Sequence, residues 1–479
     1  MRTQLAALLI LVISSPSALA AQNHALTRGD SALVGRILLA EDARDAADAA
    51  LTVGASHPDA RIRRMAIRAR YRISDSAFAR RDSFSALPAP ASWPEAAWRL
   101  RYRALADHRD DCAALDAALS DSAWPVRLHA ADVARASCVG DATLLATLRV
   151  WMDSMPADLS RRQAGGVSWH AAAHALVAMS RLNPDEARHR LAHFATHRNQ
   201  YLRLYAARAA AVLTDTVTLR ALARDRDPNV RESAIGALAR LTGHADDALY
   251  LAALDAKAPQ VVRAAALALV NSPDRKARSR ANAAFTRWVK RANASERDVR
   301  VALLQAAGRP ATDDRPPAPL HALPPEAVSL ALGTDVRVRV TMAPSSGGGS
   351  FVVRLRGDAA PMTAARILEL VRDHYYDGMA WHRVEPDFVI QGGGPLNNEY
   401  SGYRDYFRDE LSTVSHLRGT VGMSTRAHDT GDAQWFVNLR DNPRLDHDYT
   451  VFGEVVEGMD VVDGILEGDI IADISPVVR

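Results

Sequence analysis

Cysteine is scarce in this chain of 479 residues, which has only Cys112 and Cys138. Two thiols without histidines nearby at a fixed spacing cannot form a structural zinc site. They can form one disulfide between neighbouring helices, or they can stay two separate core thiols. The sequence leaves both possibilities open.

Long hydrophobic runs are also lacking. The first residues, "MRTQLAALLILVISSPSALAAQ", combine Arg2 with a short apolar stretch at 5–13 and small residues that end at Ala20. The apolar stretch is too short to span a bilayer, which takes about 20 residues, so this pattern predicts a signal peptide over residues 1–20. No cysteine follows the cleavage site to take a lipid. We therefore expect an exported, soluble protein without a membrane span, located in the bacterial periplasm.

Three catalytic motifs are missing. The glycines at 392–394 are not followed by Lys-Ser/Thr or by a helix start, which excludes a phosphate loop. Residues 422–426 lack the second glycine of a nucleophile elbow. No pair of histidines encloses a glutamate in the manner of a zinc protease. The chain thus has no assembled set of residues for nucleophilic or zinc-dependent hydrolysis.

Charge is unevenly distributed along a composition that is typical of globular proteins, with 48% hydrophobic and 24% charged residues. Residues 335–479 contain 14 arginines, no lysine and 23 acidic residues, so the basic excess lies in front of residue 335. Those arginines are spread at regular intervals instead of being massed in one run. We therefore expect no nucleic-acid partner.

An arginine frame repeats through the first three hundred residues, with an aliphatic residue, Arg, two variable positions and Ala. Successive copies are 26 to 41 residues apart, a spacing typical of two-helix repeats. A copy with Ser in place of Arg begins at Val167, and a degraded copy begins at Val299. The complete copies begin at Ile62, Leu100, Val126, Leu202, Val230 and Val262.

Each copy opens a stretch with helical periodicity. In "DPNVRESAIGALARL" the apolar positions form one stripe, and Asp227-Pro228 marks a helix start. This stretch resembles a HEAT repeat. The resemblance implies an α-helical solenoid over residues 22–308, in which the arginine of each frame reaches a carboxylate or carbonyl of the adjacent repeat. Such stacked helices present a long surface that binds clients or a partner protein.

Histidines in the helical part raise the alternative of a metal site. His189, His193 and His197 follow each other at helical spacing, as do His170 and His174. Arginines flank the first group, which favours a solvated helix face instead. We predict no metal and no cofactor.

A proline-rich stretch at residues 309–334 has six prolines between 310 and 325. Proline at this density favours extended geometry, so we expect a semi-rigid interdomain spacer. After it the pattern changes to alternation, as in "VRVRVTM" and "SFVVRLRGD", which predicts antiparallel strands. Residues 335–479 are predicted to form a mainly β domain with one or two helices.

This last domain resembles the cyclophilins, a family of peptidyl-prolyl cis-trans isomerases. Several motifs carry the resemblance in the correct order and spacing. They are Trp381-His382-Arg383, Phe388, Gln391-Gly392-Gly393, Gly422-Met423-Ser424, Gln434-Trp435-Phe436, Leu445, Tyr449 and Val451-Phe452-Gly453. The resemblance implies a closed β-barrel with flanking helices, isomerase activity on X-Pro bonds, and proline-containing polypeptides as clients.

The resemblance also assigns roles to residues. Arg383 is the expected catalytic cation, with Gln391 orienting it. The other expected members are Phe388, Phe436 and Leu445 for the proline ring, Met423 beside them, and Ser424, Gln434 and Tyr449 along the substrate groove.

Two alternatives remain open at this point. Arg383 could form only a structural ion pair with Glu385 or Asp387. The whole domain could be a non-catalytic scaffold that binds proline-containing segments.

Overall fold

The computed structural model describes residues 26–74, 87–154, 169–291, 294–312 and 317–477. The signal peptide predicted at 1–20 lies outside these residues, as does the repeat copy that begins at Val167. The helices in front of the proline-rich stretch are α1 (Arg28–Ala43), α2 (Ala49–Ala55), α3 (Ala60–Ser74), α4 (Trp98–Ala104), α5 (Cys112–Leu119), α6 (Trp124–Val133), α7 (Ala142–Asp153), α8 (Trp169–Leu182), α9 (Pro184–Ala195), α10 (Gln200–Val212), α11 (Thr216–Leu222), α12 (Pro228–Thr242), α13 (Asp247–Ala253), α14 (Pro259–Ala268), α15 (Arg275–Val289) and α16 (Arg297–Ala306).

Each complete arginine frame begins one of these helices, with its aliphatic residue at the third or fourth helical position. The arginine of the copy that begins at Leu202 makes the expected contacts. Arg203 binds both carboxylate oxygens of Asp225, which lies after the next helix, at 2.7 and 2.9 Å. It also donates to the carbonyl of His197 at 2.8 Å. The helical prediction for this part of the chain is confirmed. No helix in the described ranges has the length and apolarity needed to cross a membrane.

The two cysteines form a disulfide. Cys112 begins α5, and Cys138 lies in the turn that follows α6, with their Cα atoms 5.5 Å apart. This resolves the choice that the sequence left open.

The C-terminal part forms one antiparallel sheet of eight strands. In sheet order they are β3, β4, β6, β5, β7, β2, β1 and β8. Their bounds are β1 (Arg337–Met342), β2 (Ser350–Leu355), β3 (Arg383–Val384), β4 (Val389–Gly392), β5 (Thr420–Met423), β6 (Trp435–Asn438), β7 (Val451–Glu457) and β8 (Ile471–Pro476). Three helices accompany the sheet: α17 (Ala327–Ala331), α18 (Pro361–Arg372) and α19 (Met459–Asp463).

The sheet curls until its two edges meet. The segment before β3 pairs with the segment before β8, through Trp381 N–H to the carbonyl of Asp469 at 2.9 Å and Gly468 N–H to the carbonyl of Trp381 at 2.8 Å. Trp381 and Phe351 are fully buried inside the curl. The mainly β fold with flanking helices is therefore confirmed.

The hydrophobic cores do not divide where the sequence pattern changes. One core joins α1, α2 and α3 to the inside of the β-domain, and a second joins residues 105–307 with Leu466 of the β-domain. The stretch predicted as an extended spacer contains α17, and the backbone of Leu330 there lies so close to Gly357 that a Cβ at Gly357 would come within 2.5 Å of it. The predicted boundaries thus separate sequence patterns, whereas the packing is continuous across them.

Buried arginines connect the helices to the β-domain. The Arg72 side chain is 2% exposed, and its guanidinium binds Glu41 at 2.6 Å. It also donates to the carbonyl of Leu411 at 2.8 Å and to that of Ala359 at 3.0 Å. A buried charge is tolerated only when it is paired and hydrogen-bonded in this way.

Arg72→Met is expected to lower the free energy of unfolding by about 3–5 kcal/mol, because it leaves the buried Glu41 carboxylate without its closest cation. Urea unfolding of the whole chain measures this loss. Arg101→Met is the matched control, since Arg101 pairs with Asp121 at an exposed position, and it should stay near wild-type stability. Equal stability of the two variants would contradict the conclusion that the buried Arg72–Glu41 pair stabilises the fold.

Candidate active site

Strand register brings the predicted residues into one row. Arg383 on β3 is opposite Gln391 on β4, Gln391 is opposite Phe436 on β6, and Phe436 is opposite Gly422 on β5. Residues that are directly opposite each other in a sheet share a face, so the row forms one continuous surface. Gly422 keeps it open, because a Cβ there would come within 2.4 Å of the Phe436 ring.

Gln391 connects the members of this row. Its amide oxygen accepts from Arg383 Nη1 at 3.4 Å, and its Nε2 donates to Ser424 Oγ at 2.9 Å and to Gln434 Oε1 at 3.1 Å. Gln391 and Gln434 are both 5% exposed, so these bonds are shielded from water. The contact between Gln391 and Arg383 is the one that the sequence predicts.

A small pocket of about 130 Å³ lies beside Arg383. Its apolar walls are Phe388, Phe436 and Leu445, and the Tyr449 ring stands edge-on to Phe436 with 5.9 Å between the centroids. Ser424 and Gln391 supply polar groups at its side. The dimensions and lining suit an uncharged ring.

Two residues that the resemblance places at the substrate site, Met423 and Gln434, do not line the pocket. Met423 is 1% exposed and belongs to the core, because it follows Gly422 on β5 and its side chain points to the opposite face. Gln434 does not line the pocket. Its Nε2 donates to the carbonyls of Glu399 at 3.2 Å and Ser401 at 2.5 Å, so it holds the loop after β4.

Carboxylates around Arg383 complete the site. Glu399 lies 3.4 Å from Nη1 and Glu385 lies 3.8 Å from Nε. Asp387, the other candidate partner, instead pairs with Arg103 and Arg440. Sequence reasoning missed Glu399, because it lies in an irregular loop where neither periodicity nor a motif marks it.

Arg426 and Arg444 were also not among the predicted site residues. Arg426 lines the pocket, and the Arg444 guanidinium lies 4.3 Å from the centroid of the Phe388 ring. Both positions follow a predicted strand or turn, and their direction toward the groove depends on loop geometry that the sequence pattern does not specify.

His382 precedes Arg383 and is electrostatically unusual. Both of its ring nitrogens are shielded from solvent and have no hydrogen-bond partner among the described residues. Burial, with further contributions from the Arg426 and Arg383 charges, lowers the pKa of His382 to about 3. The ring is therefore neutral at physiological pH.

Two of the histidines considered as metal ligands, His170 and His174, make other contacts. His170 bonds to the carbonyl of Glu467 at 2.7 Å, and His174 contacts Asp132 at 2.7 Å and the Tyr205 hydroxyl at 2.9 Å. Across the ranges that the structure covers, one group of three potential ligands comes together, and it contains none of these histidines. It consists of His374, Asp377 and Asp473.

Comparisons with known proteins find similarity to one family in this part of the chain. A family model described as cyclophilin type peptidyl-prolyl cis-trans isomerase matches residues 339–478. The peptidyl-prolyl cis-trans isomerase ppi1 of Schizosaccharomyces pombe is 38% identical over 118 residues, which are 24% of this chain and 76% of that protein. A peptidyl-prolyl cis-trans isomerase of Helicobacter pylori is 34% identical over 130 residues, 26% of this chain and 80% of that protein. A crystal structure of a cyclophilin type isomerase from Cryptosporidium parvum aligns with 30% of this chain and 99% of its own, at 22% identity and a TM-score of 0.28.

The low pKa of His382 predicts a specific pH dependence of stability. Below the ordinary histidine pKa of 6.5 the unfolded chain binds a proton at this residue and the native chain does not, so stability falls as the pH drops from 6.5 toward 3. His382→Phe removes this effect. The difference in unfolding free energy, wild type minus variant, should decrease by about 1.4 kcal/mol for each unit by which the pH falls in this window. Urea unfolding at several pH values measures it, and a pH-independent difference would contradict the lowered pKa.

Proposed function

The chain belongs to the cyclophilin-type peptidyl-prolyl cis-trans isomerase family, and we propose that it accelerates X-Pro isomerisation in exported proteins with Arg383 as the catalytic cation. One observation carries this proposal. The Arg383 guanidinium, held by Gln391, stands at the edge of a pocket whose apolar walls fit a proline ring.

The chemistry of the reaction suits these residues. Rotation about an X-Pro bond is opposed by about 18–20 kcal/mol of amide resonance, while the cis and trans forms differ by only about 0.5–1 kcal/mol. The twisted transition state loses conjugation, and lone-pair density develops on the prolyl nitrogen. A fixed donor at that nitrogen stabilises the transition state more than the planar ground state, so neither a nucleophile nor a metal is required.

An arginine is well suited to donate this bond. Its guanidinium keeps its charge and offers several N–H groups in a rigid fork. Phe388, Phe436 and Leu445 would hold the proline ring while the preceding carbonyl turns, and Tyr449 would close the far side. Gln391 and Ser424 would bind the backbone of the client.

Arg383→Ala is expected to lower kcat/KM for a prolyl peptide about ten- to a hundredfold, since a charge-assisted hydrogen bond contributes about 1.5–3 kcal/mol. Exchange NMR on a peptide with one proline measures the catalysed rate. Arg337→Ala, on β1 and paired with Asp335, is the control and should keep the wild-type rate. Equal rates for wild type and Arg383→Ala would favour the non-catalytic scaffold.

The place of action is a separate part of the proposal. The predicted signal peptide and the Cys112–Cys138 disulfide both support an oxidising compartment outside the cytoplasm, with the periplasm as the proposed location. The helical part of the chain would bind clients or a partner protein there.

Export can be measured with a reporter. The first thirty residues, fused to alkaline phosphatase in bacterial cells, should give active enzyme, because the reporter needs disulfides that form only after export. The same fusion without residues 1–20 is the control and should be inactive. An inactive full fusion would overturn the export proposal and leave the isomerase proposal unaffected.

A further inference from the structure

A second, larger cavity of about 640 Å³ lies between the helices and the β-domain. One wall comes from α6, α8, α10 and α12, and the other from the segment around β3 and the loop after β4. Arg383 and Glu399 line both this cavity and the proline pocket. A client chain with its proline beside Arg383 therefore has the larger cavity next to it.

The wall that carries Glu399 is fixed by the helical region. Asn229 of α12 donates to the carbonyl of Leu396 at 3.0 Å and accepts from Asn398 Nδ2 at 3.2 Å. The Tyr400 ring lies between two guanidinium groups, with Arg263 at 3.9 Å and Arg426 at 4.6 Å from its centroid. These contacts on both sides of Glu399 hold the loop in place.

Negative charge is in excess on the lining. Six acidic side chains lie there with only two guanidinium groups, those of Arg208 and Arg383; the acidic residues are Asp132, Asp227, Glu232, Glu385, Glu399 and Glu467. Burial raises the pKa of Glu232 to about 7, so this one is only partly ionised at neutral pH. Arg208 is already paired with Glu467, at 3.5 Å.

Two of the carboxylates, one on each wall of the cavity, remain open to a cation. The Asp132 side chain, on the helical side, is 44% exposed, and within the described ranges its carboxylate contacts His174. Glu385, on the β side, is 54% exposed and lies 3.8 Å from Arg383, beyond hydrogen-bond distance.

The remaining lining also suits a long cationic side chain. Tyr102 stacks on His129 with 4.0 Å between the ring centroids, which gives an aromatic surface for an alkyl stem or a guanidinium plane. His382 also lines the cavity, and because its ring is neutral it places no positive charge there.

We propose that this cavity is a specificity subsite for the client, and that it accepts a lysine or arginine side chain near the proline that undergoes isomerisation. The inference rests on the proposed function. It adds that the helical region selects clients by charge, through Asp132 from the helices and Glu385 and Glu399 from the β-domain.

The test uses the full-length protein and peptides that differ at one residue. Each peptide contains one proline and carries lysine, norleucine or glutamate at one of the three positions before or after it, and exchange NMR gives kcat/KM. At one or more positions the lysine peptide should be turned over roughly two- to fivefold faster than the norleucine peptide, as expected for an ion pair in contact with water. Salt should reduce this ratio.

Variants locate the source of the preference. Asp132→Asn and Glu385→Gln should each reduce the lysine-to-norleucine ratio, and the double variant should bring it close to one. Asp185→Asn, at a 91% exposed position on α9 outside the cavity, should keep the wild-type ratio. Because the ratio is measured within each variant, partial loss of folded protein cancels.

The outcomes separate the two proposals. If no peptide is accelerated, the isomerase proposal fails. If the norleucine peptide is accelerated and no position favours lysine, or if glutamate is favoured, the subsite is overturned while the isomerase proposal stands. A lysine preference that persists in the double variant also overturns the assignment to this cavity.

Discussion

Buried guanidinium groups that need partners from another part of the chain are the constraint on which this structure depends. Arg99 of α4 is fully buried, binds Asp463 of α19 at 2.7 Å and donates to the carbonyl of Pro386. Arg68 of α3 donates to the carbonyl of Asp358 at 2.8 Å. An unpaired charge at such depth would cost several kcal/mol, so the helices and the β-domain stabilise each other only in this arrangement.

The same contacts determine the surroundings of Arg383. Pro386 lies in the turn between β3 and β4 and comes between Arg383 and Phe388 in the sequence. Its carbonyl accepts a hydrogen bond from Arg99. On the other side of the groove, Asn229 holds the loop that carries Glu399. Both flanks of the candidate active site are thus positioned by the helical region. In the proposed subsite, the helices would contribute to client selection without supplying a catalytic group.

The sequence predicts the parts of the site that depend on spacing within strands. Arg383, Gln391 and Phe436 could be named because they stand in motifs that resemble the cyclophilin pattern, and strand register then brings them to one face. The misplaced Met423 shows the limit of assignment by motif alone, since neighbouring strand residues point to opposite faces. Glu399 and the shared core of α1, α2 and α3 could not be predicted, because long-range packing determines them and no local pattern marks them.

The pairing of Arg383 explains how one group can serve both structure and chemistry. Its contacts with Glu399 and Glu385, at 3.4 and 3.8 Å, are longer than the 2.7–2.9 Å of a strong charge-assisted bond, and the side chain is 38% exposed. Two loosely paired carboxylates limit the orientation of the guanidinium. They leave N–H groups free to turn toward a prolyl nitrogen, which a tight bidentate pair would not allow. With the proposed roles, a client cation near Glu385 or Glu399 would weaken these contacts further, and charge in the cavity would then be coupled to donation at the prolyl nitrogen.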